Sequence, residues 1–256
     1  MPDNPAIHDR LLTPTDIPTR LFRASWGLYE SIIHANYMGH REIHAAVREV
    51  IRALARRQPY SILDLGCGSV RGVAEILQAL PPARYLGVDL SQPALVEAAK
   101  NLSGLPKVEL REEDMLSTLD DLTQRGQQFD LVYSGFAMHH LPAAAKARMF
   151  ESVSRLLTPD GVFLLIDITR EPGEARAEYL VNYLHMVRTE WDTLEETQIA
   201  DVCDHVTAHD FPEPWLDLEA MASAAGFVTR RVLTRQRQHW AMEFSFVNSK
   251  VAMQSC

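Results

Sequence analysis

A short glycine-rich turn between a predicted strand and a predicted helix is the most informative chemical feature of this sequence. Residues 62 to 72 read Ile-Leu-Asp-Leu-Gly-Cys-Gly-Ser-Val-Arg-Gly, so an apolar strand runs directly into Gly66, Cys67 and Gly68. Glycine lets the backbone turn sharply and lets a ligand approach it closely. In doubly wound sheets, ligands bind at the carboxyl ends of the strands. The turn therefore predicts a ligand site at this point.

Two features of the turn argue against a dinucleotide and favour a cationic ligand. A dinucleotide fingerprint needs glycines in the order G-x-G-x-x-G, but Arg71 occupies the third glycine position and Gly72 comes one residue late. Asp64 stands two residues before the turn. A carboxylate there would repel a pyrophosphate, but it would suit the ammonium and sulfonium groups of S-adenosylmethionine. We therefore expect that molecule as the cofactor.

Acids follow the next two predicted strands. Asp89 lies 23 residues past Gly66, where its carboxylate can accept hydrogen bonds from both ribose hydroxyls. The alternative is that Asp89 caps the helix that begins near Pro93. Asp114 can accept a hydrogen bond from the adenine amino group, and Met115 offers a backbone N–H and an apolar wall. The alternative for Asp114 is a surface acid in an acidic run.

The elements that position these residues alternate between strand and helix. Predicted strands lie at 61–65, 85–89, 108–111, 129–133 and 162–168, and predicted helices at 71–80, 93–101 and 143–157, with a turn at 158–161. Such alternation predicts crossover connections and a parallel sheet. A helical pattern over 21–57, divided at Gly39, comes first, after a proline-rich irregular start at 1–19. A helix at 218–225 and strands at 227–233 and 240–247 come last.

The segment from 171 to 214 interrupts this alternation. Its composition is helical, and its apolar residues are too scattered for a second core, so it is interpreted as an insertion. We expect three parts: an N-terminal helical lid at 1–58, a ligand-binding domain at 59–170 and 215–256, and a helical substrate cap at 171–214.

The motifs resemble those of class I S-adenosylmethionine-dependent methyltransferases, over roughly residues 61–168. The matching segments are ILDLGCGSVRG, YLGVDLS, REEDML, FDLVYSGFAMHHL and LLTPDGVFLLID. One departure is the third small residue of the glycine turn, which is displaced by Ser69-Val70-Arg71. The resemblance implies a doubly wound α/β fold with a seven-stranded, mostly parallel sheet whose last strand is antiparallel. It also implies a methyltransferase enzyme.

The resemblance further implies site residues by position. Cofactor-binding residues would be Asp64, Gly66, Cys67, Gly68, Asp89, Leu90, Asp114, Met115 and Ser134, with Tyr37 and His40 in the lid. The alternative for Tyr37 and His40 is ordinary helix packing. In such enzymes an insertion before the sixth strand forms the substrate pocket. Candidate substrate residues there are Tyr183, His185, Trp191 and His205, with Arg188 and His209 nearby, and the aromatic rings could instead be plain lid packing.

Methyl transfer needs a base only when the nucleophile arrives protonated. Histidine is the natural base near neutral pH, and His139 and His140 follow the fourth strand on the ligand side. The alternative for His140 is a hydrogen bond that shapes the loop. A metal set from Cys203, Asp204, His205, His209 and Asp210 is conceivable, because His205 and His209 lie one helical turn apart. We expect no metal, since a solvated helical face is the commoner outcome.

Composition limits the partners. The formal charge of -9 over 256 residues argues weakly against nucleic acid. The three cysteines, Cys67, Cys203 and Cys256, form no CxxC pair and favour a reducing compartment. No apolar run approaches the about 18 residues of a membrane span. We expect a cytoplasmic monomer or homodimer that methylates a small molecule on oxygen, nitrogen or sulfur.

Two other functions remain open. One is an NAD-dependent oxidoreductase, or another user of a cofactor like S-adenosylmethionine, on a similar scaffold, against which the displaced third glycine counts. The other is a non-catalytic member that binds cofactor or acts through a protein partner, against which the intact Asp64, Asp89 and Asp114 count.

Overall fold

A central sheet positions the glycine turn. The computed structural model describes residues 26–57 and 59–246, so the expected irregular start at 1–19, residue 247 of the last predicted strand and Cys256 lie outside the described residues. The strands are β1 (Ser61–Leu65), β2 (Arg84–Asp89), β3 (Val108–Glu112), β4 (Phe129–Gly135), β5 (Leu157–Arg170), β6 (Glu213–Pro214), β7 (Thr229–Gln236) and β8 (His239–Ser245). Their order is β3-β2-β1-β4-β5-β8-β7, and the two-residue β6 pairs with the end of β5.

The direction of the strands confirms the predicted fold class. The pairs among β1 to β5 are parallel, whereas β8 runs antiparallel to both β5 and β7. The order reverses beside β1, between β2 and β4. At such a switch point the connections leave on opposite faces, which opens a crevice beyond the carboxyl ends of the strands.

Helices cover both faces of the sheet and its carboxyl edge. They are α1 (Trp26–Ala35), α2 (His40–Ala55), α3 (Arg71–Ala79), α4 (Gln92–Asn101), α5 (Met115–Gln124), α6 (Ala143–Leu156), α7 (Arg176–Glu190), α8 (Glu196–His209) and α9 (Trp215–Ala224), with a 3-10 turn at Met138–His140. The predicted break at Gly39 is confirmed, since its backbone is left-handed with φ 69°. Within 26–57 and 59–246, no helix is both long and apolar enough to cross a membrane.

Alternating side chains along β1 supply the two cores. Leu63 and Leu65 pack in one buried cluster, and Ile62 packs in the cluster on the other face. This is the period of two that a strand imposes. The second cluster also receives Ile43 and Val47 of α2, whose four-residue spacing puts them on one helix face.

A third buried cluster lies under the insertion. It joins Leu28 and Ile32 of α1 to Tyr179 and Tyr183 of α7 and Val202 of α8. Apolar residues of the insertion thus pack in a buried cluster, although they do not form a core by themselves. The insertion supplies only part of that core, and α1, from the other end of the sequence, supplies the rest.

The turn predicted at 158–161 lies inside strand β5. Phe129 pairs with Leu157, and the next pair is Leu131 with Val162, so two steps along β4 correspond to five along β5. The extra residues form a bulge rather than a break between elements. A Cβ added at Gly161 would lie 2.9 Å from the carbonyl oxygen of Thr158, which explains why the bulge needs glycine there.

Candidate active site

A cavity of about 410 Å³ lies at the carboxyl edge of the sheet, where the glycine turn ends. This volume falls within the usual size of small-ligand sites. Its floor includes Asp64, Asp89 and Gly135 at the ends of strands. Its cover includes Leu28 of α1 and Tyr183 of α7. The lid helices and the insertion thus enclose the same cavity.

The turn residues hold the backbone open at the base of the cavity. The N–H groups of Gly66 and Cys67 both donate to the carbonyl oxygen of Val88, at 2.8 and 3.0 Å. Gly66 has a left-handed backbone with φ 73°, and a Cβ there would lie 2.4 Å from the Cβ of Ala137. Only glycine satisfies both conditions.

The displaced third glycine has a packing explanation. Helix α3 begins at Arg71, after Val70, whose backbone is left-handed with φ 60°. A Cβ on Gly72 would lie 2.8 Å from Nε2 of His44 on α2. The small residue is therefore needed one position later, where α2 crosses α3. The left-handed valine is a rare conformation for a β-branched residue, and such strain is found at functional sites.

Asp64 lines the cavity and has an unsatisfied carboxylate oxygen. The residue is 1% exposed. Its Oδ2 accepts a hydrogen bond of 2.6 Å from the hydroxyl of Tyr85, whereas its Oδ1 has no hydrogen-bond partner. Burial raises the pKa of Asp64 to about 7. A buried oxygen of this kind suits a cationic ligand group, so the residues present fit the ammonium end of S-adenosylmethionine.

Asp89 links the glycine turn to the end of β2. Its Oδ2 accepts from the N–H of Gly68 at 2.8 Å, and its Oδ1 accepts from the N–H of Ser91 at 2.7 Å. The cap of α4 is Ser91 itself, whose hydroxyl accepts from Ala94. Asp89 is therefore not the helix cap, and its side chain lines the cavity beside the exposed Leu90. Burial raises its pKa.

Asp114 does cap a helix. Its Oδ1 accepts from the N–H groups of Leu116 and Ser117, both at 3.0 Å, at the start of α5. Asp114 and Met115 also line the cavity. One carboxylate oxygen is thus committed to the helix, and Oδ2 takes no part in those bonds.

The paired histidines also line the cavity. Nδ1 of His139 lies 2.5 Å from Oδ1 of Asp167, and Nδ1 of His140 lies 3.2 Å from the carbonyl oxygen of His209. Burial lowers the pKa of each imidazole to about 3. Asp167 was missed as a site residue. The sequence feature that could have indicated it is an acidic residue near the end of an otherwise apolar predicted strand.

The insertion contributes three of the four predicted substrate residues. Tyr183, Trp191 and His205 line the cavity. The hydroxyl of Tyr183 lies 2.8 Å from Nε2 of His239 on β8. His185 is exposed and does not line the cavity, because it lies two residues after Tyr183 on α7 and so faces away from it.

Two predicted cofactor residues also lie outside the cavity lining. Ser134 is fully buried, and its hydroxyl donates to the carbonyl oxygen of Leu65 at 3.1 Å, so it joins β4 to β1. Tyr37 stacks against Trp191 instead. The expected contacts of these two residues with the cofactor remain predictions. In contrast, His40 lines the cavity, and both of its ring nitrogens are buried without a hydrogen-bond partner.

Comparisons with known proteins agree with this architecture. Residues 62–161 match the family model described as a methyltransferase domain. Trans-aconitate 2-methyltransferase from Deinococcus radiodurans is 30% identical over 129 residues, which cover 49% of this chain and 45% of that enzyme. Phosphoethanolamine N-methyltransferase from Plasmodium falciparum is 24% identical over 194 residues, 75% of this chain and 71% of that enzyme.

The match spans less than half the length of the first relatives. Among solved structures, magnesium protoporphyrin IX methyltransferase from Synechocystis with bound S-adenosylmethionine superposes with a TM-score of 0.58 at 14% identity. That comparison covers 94% of this chain and 98% of the other, and at this identity it shows the fold. The family match falls on the segment that carries the glycine turn and the acids after β2 and β3, so residues 62–161 are similar to a methyltransferase domain.

Proposed function

We propose that this chain transfers the methyl group of S-adenosylmethionine to a small-molecule acceptor held under α1 and the insertion. The observation that carries the proposal is the unpartnered Oδ1 of Asp64, a residue that lines the same cavity as the histidines and aromatic residues of the cap. A cationic amino-acid tail would satisfy that oxygen. The rest of the cavity would then hold the acceptor.

We assign the cofactor contacts from the placement of the lining residues. Asp64 and the turn from Gly66 to Gly68 would hold the amino-acid tail, and Asp89 would accept from the ribose. Leu90, Asp114 and Met115 would lie against the adenine. Carboxylate oxygens accept several hydrogen bonds each, so Asp89 can serve both Gly68 and a sugar hydroxyl.

The largest contribution to rate would be alignment and exclusion of water. Methyl transfer is an in-line displacement in which the positive charge on sulfur disappears. Holding the reactants in line can supply roughly 7 to 11 kcal/mol in favourable geometry. The faces of Tyr183 and Trp191 would attract a sulfonium, since aromatic rings attract cations.

His139 and His140 are the proposed bases. Burial lowers the pKa of both, so each imidazole is neutral near neutral pH. Asp167 fixes the tautomer of His139 by accepting from Nδ1, which leaves Nε2 as the acceptor of a proton. A base of lowered pKa suits a methyl acceptor whose own proton is acidic. A carboxylate acceptor carries no proton and needs no base.

The acceptor class follows from the enclosed site and from the relatives. Their names refer to trans-aconitate and to phosphoethanolamine, both small anionic molecules. We propose a small-molecule acceptor of that size class rather than a nucleic acid, which the charge of -9 also favours. Reduced Cys67 and Cys203, both buried, support a cytoplasmic location.

We propose that the chain consists of three parts. The lid is the segment up to 58, the cofactor domain comprises 59–170 and 215–256, and the substrate cap is 171–214. The third buried cluster supports a lid and a cap that act together, because it joins α1 to α7 and α8.

Calorimetry with S-adenosylhomocysteine, followed by an assay of its release from S-adenosylmethionine, tests the function. The assay would use a panel of small carboxylates, amines and phenols. We expect one bound S-adenosylhomocysteine and turnover with at least one acceptor class. Binding of NADH in preference to S-adenosylhomocysteine would overturn the cofactor assignment, and cofactor binding without turnover on any class would overturn the enzymatic one.

A further inference from the structure

Three histidines and one aspartate converge on a single wall of the cavity. His139 and His140 lie in the 3-10 turn after β4, His205 lies on α8, and Asp210 follows that helix. All four side chains line the cavity. We propose that this cluster binds one first-row divalent transition-metal ion, of which Zn²⁺ is the natural probe.

The spacing of the donor atoms fits such an ion. Oδ1 of Asp210 lies 3.6 Å from Nε2 of His139 and 3.9 Å from Nε2 of His205. These separations are too long for hydrogen bonds. With metal–ligand distances of about 2.0 to 2.1 Å, a tetrahedral site separates its ligand atoms by about 3.3 to 3.4 Å. His139, His140 and Asp210 each offer a ligand atom, and these three lie within 4.8 Å of one another.

His139 has the second contact that metal-binding histidines usually have. Its Nδ1 lies 2.5 Å from the carboxylate of Asp167, while its Nε2 faces Asp210. A carboxylate that accepts from one ring nitrogen fixes the ring and directs the lone pair of the other nitrogen to the ion. His140 has a comparable contact, since its Nδ1 lies 3.2 Å from the carbonyl oxygen of His209. That contact would leave Nε2 of His140 as its ligand atom.

Asp210 is a buried carboxyl group with an unsatisfied oxygen. The residue is 1% exposed, and its Oδ1 has no hydrogen-bond partner. The nearby cations are committed elsewhere. Lys146 donates to the carbonyl oxygen of Phe211 and lies 3.1 Å from Glu213, and Arg176 donates to the backbone carbonyl of Asp210 rather than to its carboxylate. A buried carboxylate without a cation is costly, and a metal ion would remove that cost.

The donor set predicts which ions bind. Imidazole suits zinc, copper, iron and nickel, whereas magnesium and calcium require oxygen ligands. We therefore expect Zn²⁺ to bind and Mg²⁺ not to bind. Because all four residues line the cavity, any coordination position left open by the protein would face the space proposed for the acceptor.

Equilibrium competition between the metal-free protein and a chromophoric chelator for Zn²⁺ tests the proposal without cofactor or turnover. The expected result is one tight site per chain, and Co²⁺ in its place should give the visible d–d absorption of a tetrahedral nitrogen–oxygen site. Asp210→Asn and His139→Gln should each abolish tight binding. Asp167→Asn should weaken it by about 10- to 100-fold, as loss of an outer contact does.

Three controls make the result interpretable. His185→Ala removes an exposed histidine of α7, and His40→Phe removes a cavity histidine outside the cluster, so both should bind Zn²⁺ like the wild type. Circular dichroism and S-adenosylhomocysteine binding would show that Asp210→Asn remains folded. Equal Zn²⁺ affinity in wild type and Asp210→Asn, or loss of binding in His40→Phe, would overturn the site. An ion on Nε2 of His139 would exclude that atom as a base, but neither outcome affects the proposed transfer of the methyl group, which has its own assay.

Discussion

The ring of Tyr37 stacks on the indole of Trp191, with ring centroids 5.0 Å apart and planes inclined by only 6°. The Tyr37 hydroxyl accepts from the N–H of Thr193 at 2.7 Å and lies 2.8 Å from the Thr193 hydroxyl. Tyr37 belongs to the turn between α1 and α2, and Trp191 follows α7. This pair therefore ties the lid to the insertion across the top of the cavity.

Loss of this contact should loosen the cover of the cavity. Tyr37→Ala removes both the stacking and the hydrogen bonds, and Tyr37→Phe removes only the hydrogen bonds. We expect faster amide hydrogen exchange at residues 191–194 in both variants, and more in Tyr37→Ala, since an aromatic pair contributes about 0.5 to 1.5 kcal/mol beyond its buried area. Exchange identical to the wild type in Tyr37→Ala would contradict the link, and strand β2 serves as the internal reference.

The raised pKa of Asp64 predicts that cofactor affinity depends on pH. Burial raises that pKa to about 7, so the carboxyl is largely protonated below this value. An ammonium group binds the ionised form, and binding therefore releases a proton at lower pH. Affinity for S-adenosylhomocysteine should rise with pH up to about 7 and level off above it. Calorimetry in two buffers of different ionisation enthalpy measures the proton release.

Two variants separate Asp64 from other titrating groups. Asp64→Asn should remove the pH dependence and weaken binding at pH 8 by about 1.5 to 3 kcal/mol, the contribution of a hydrogen bond to a charged group. Tyr85→Phe removes the hydroxyl that stabilises the carboxylate, so the inflection should move to higher pH. A pH profile that persists in Asp64→Asn would show that a different group titrates.

A methyl group at Gly66 should destabilise the fold. The added Cβ would lie 2.4 Å from that of Ala137, and the backbone φ of 73° disfavours any side chain. We expect Gly66→Ala to lower the free energy of unfolding by about 1 to 3 kcal/mol, as measured by urea denaturation. Gly104→Ala is the matched control, because nothing lies within 4 Å of its added Cβ and the residue is exposed. Equal stability of the two variants would refute the packing argument.

Substitution of Asp89 should weaken cofactor binding, and the loss should be larger when fewer acceptor oxygens remain on the side chain. Asp89→Ala should weaken S-adenosylhomocysteine binding by about 1 to 3 kcal/mol through the lost ribose contacts and the released N–H of Gly68. Asp89→Asn retains one carbonyl oxygen and should lose less. Glu151→Gln on the exposed side of α6 is the charge control. Unchanged calorimetric affinity in Asp89→Ala would remove this residue from the site.

Local chemistry was sufficient to locate the floor of the cavity. The turn at Gly66 and Gly68 and the acids Asp64, Asp89 and Asp114 follow strands whose carboxyl ends must share one edge of a parallel sheet. Sequence order and strand direction therefore bring them together, and the structure places all five residues on the cavity. The hydrogen bond from Gly68 to Asp89 is a direct consequence of that arrangement.

The roles of residues in the cover depended on tertiary packing. Whether a helix residue points inward is decided by the helix that packs against it, which is why Tyr183 lines the cavity and His185 two positions later does not. Ser134 donates a hydrogen bond to Leu65, and Tyr37 stacks on Trp191. The amino-acid composition predicts neither contact.

The sequence by itself determined the fold class and the strand ends that line the cavity, because alternation of strands and helices and a glycine turn are local patterns. Only the tertiary structure decided that His139 and His140 meet His205 and Asp210, and that Asp167 contacts His139. Those residues are separated by long stretches of chain and have no common spacing. They are in contact because α8 packs near the end of β4, and no periodic pattern in the sequence predicts that packing.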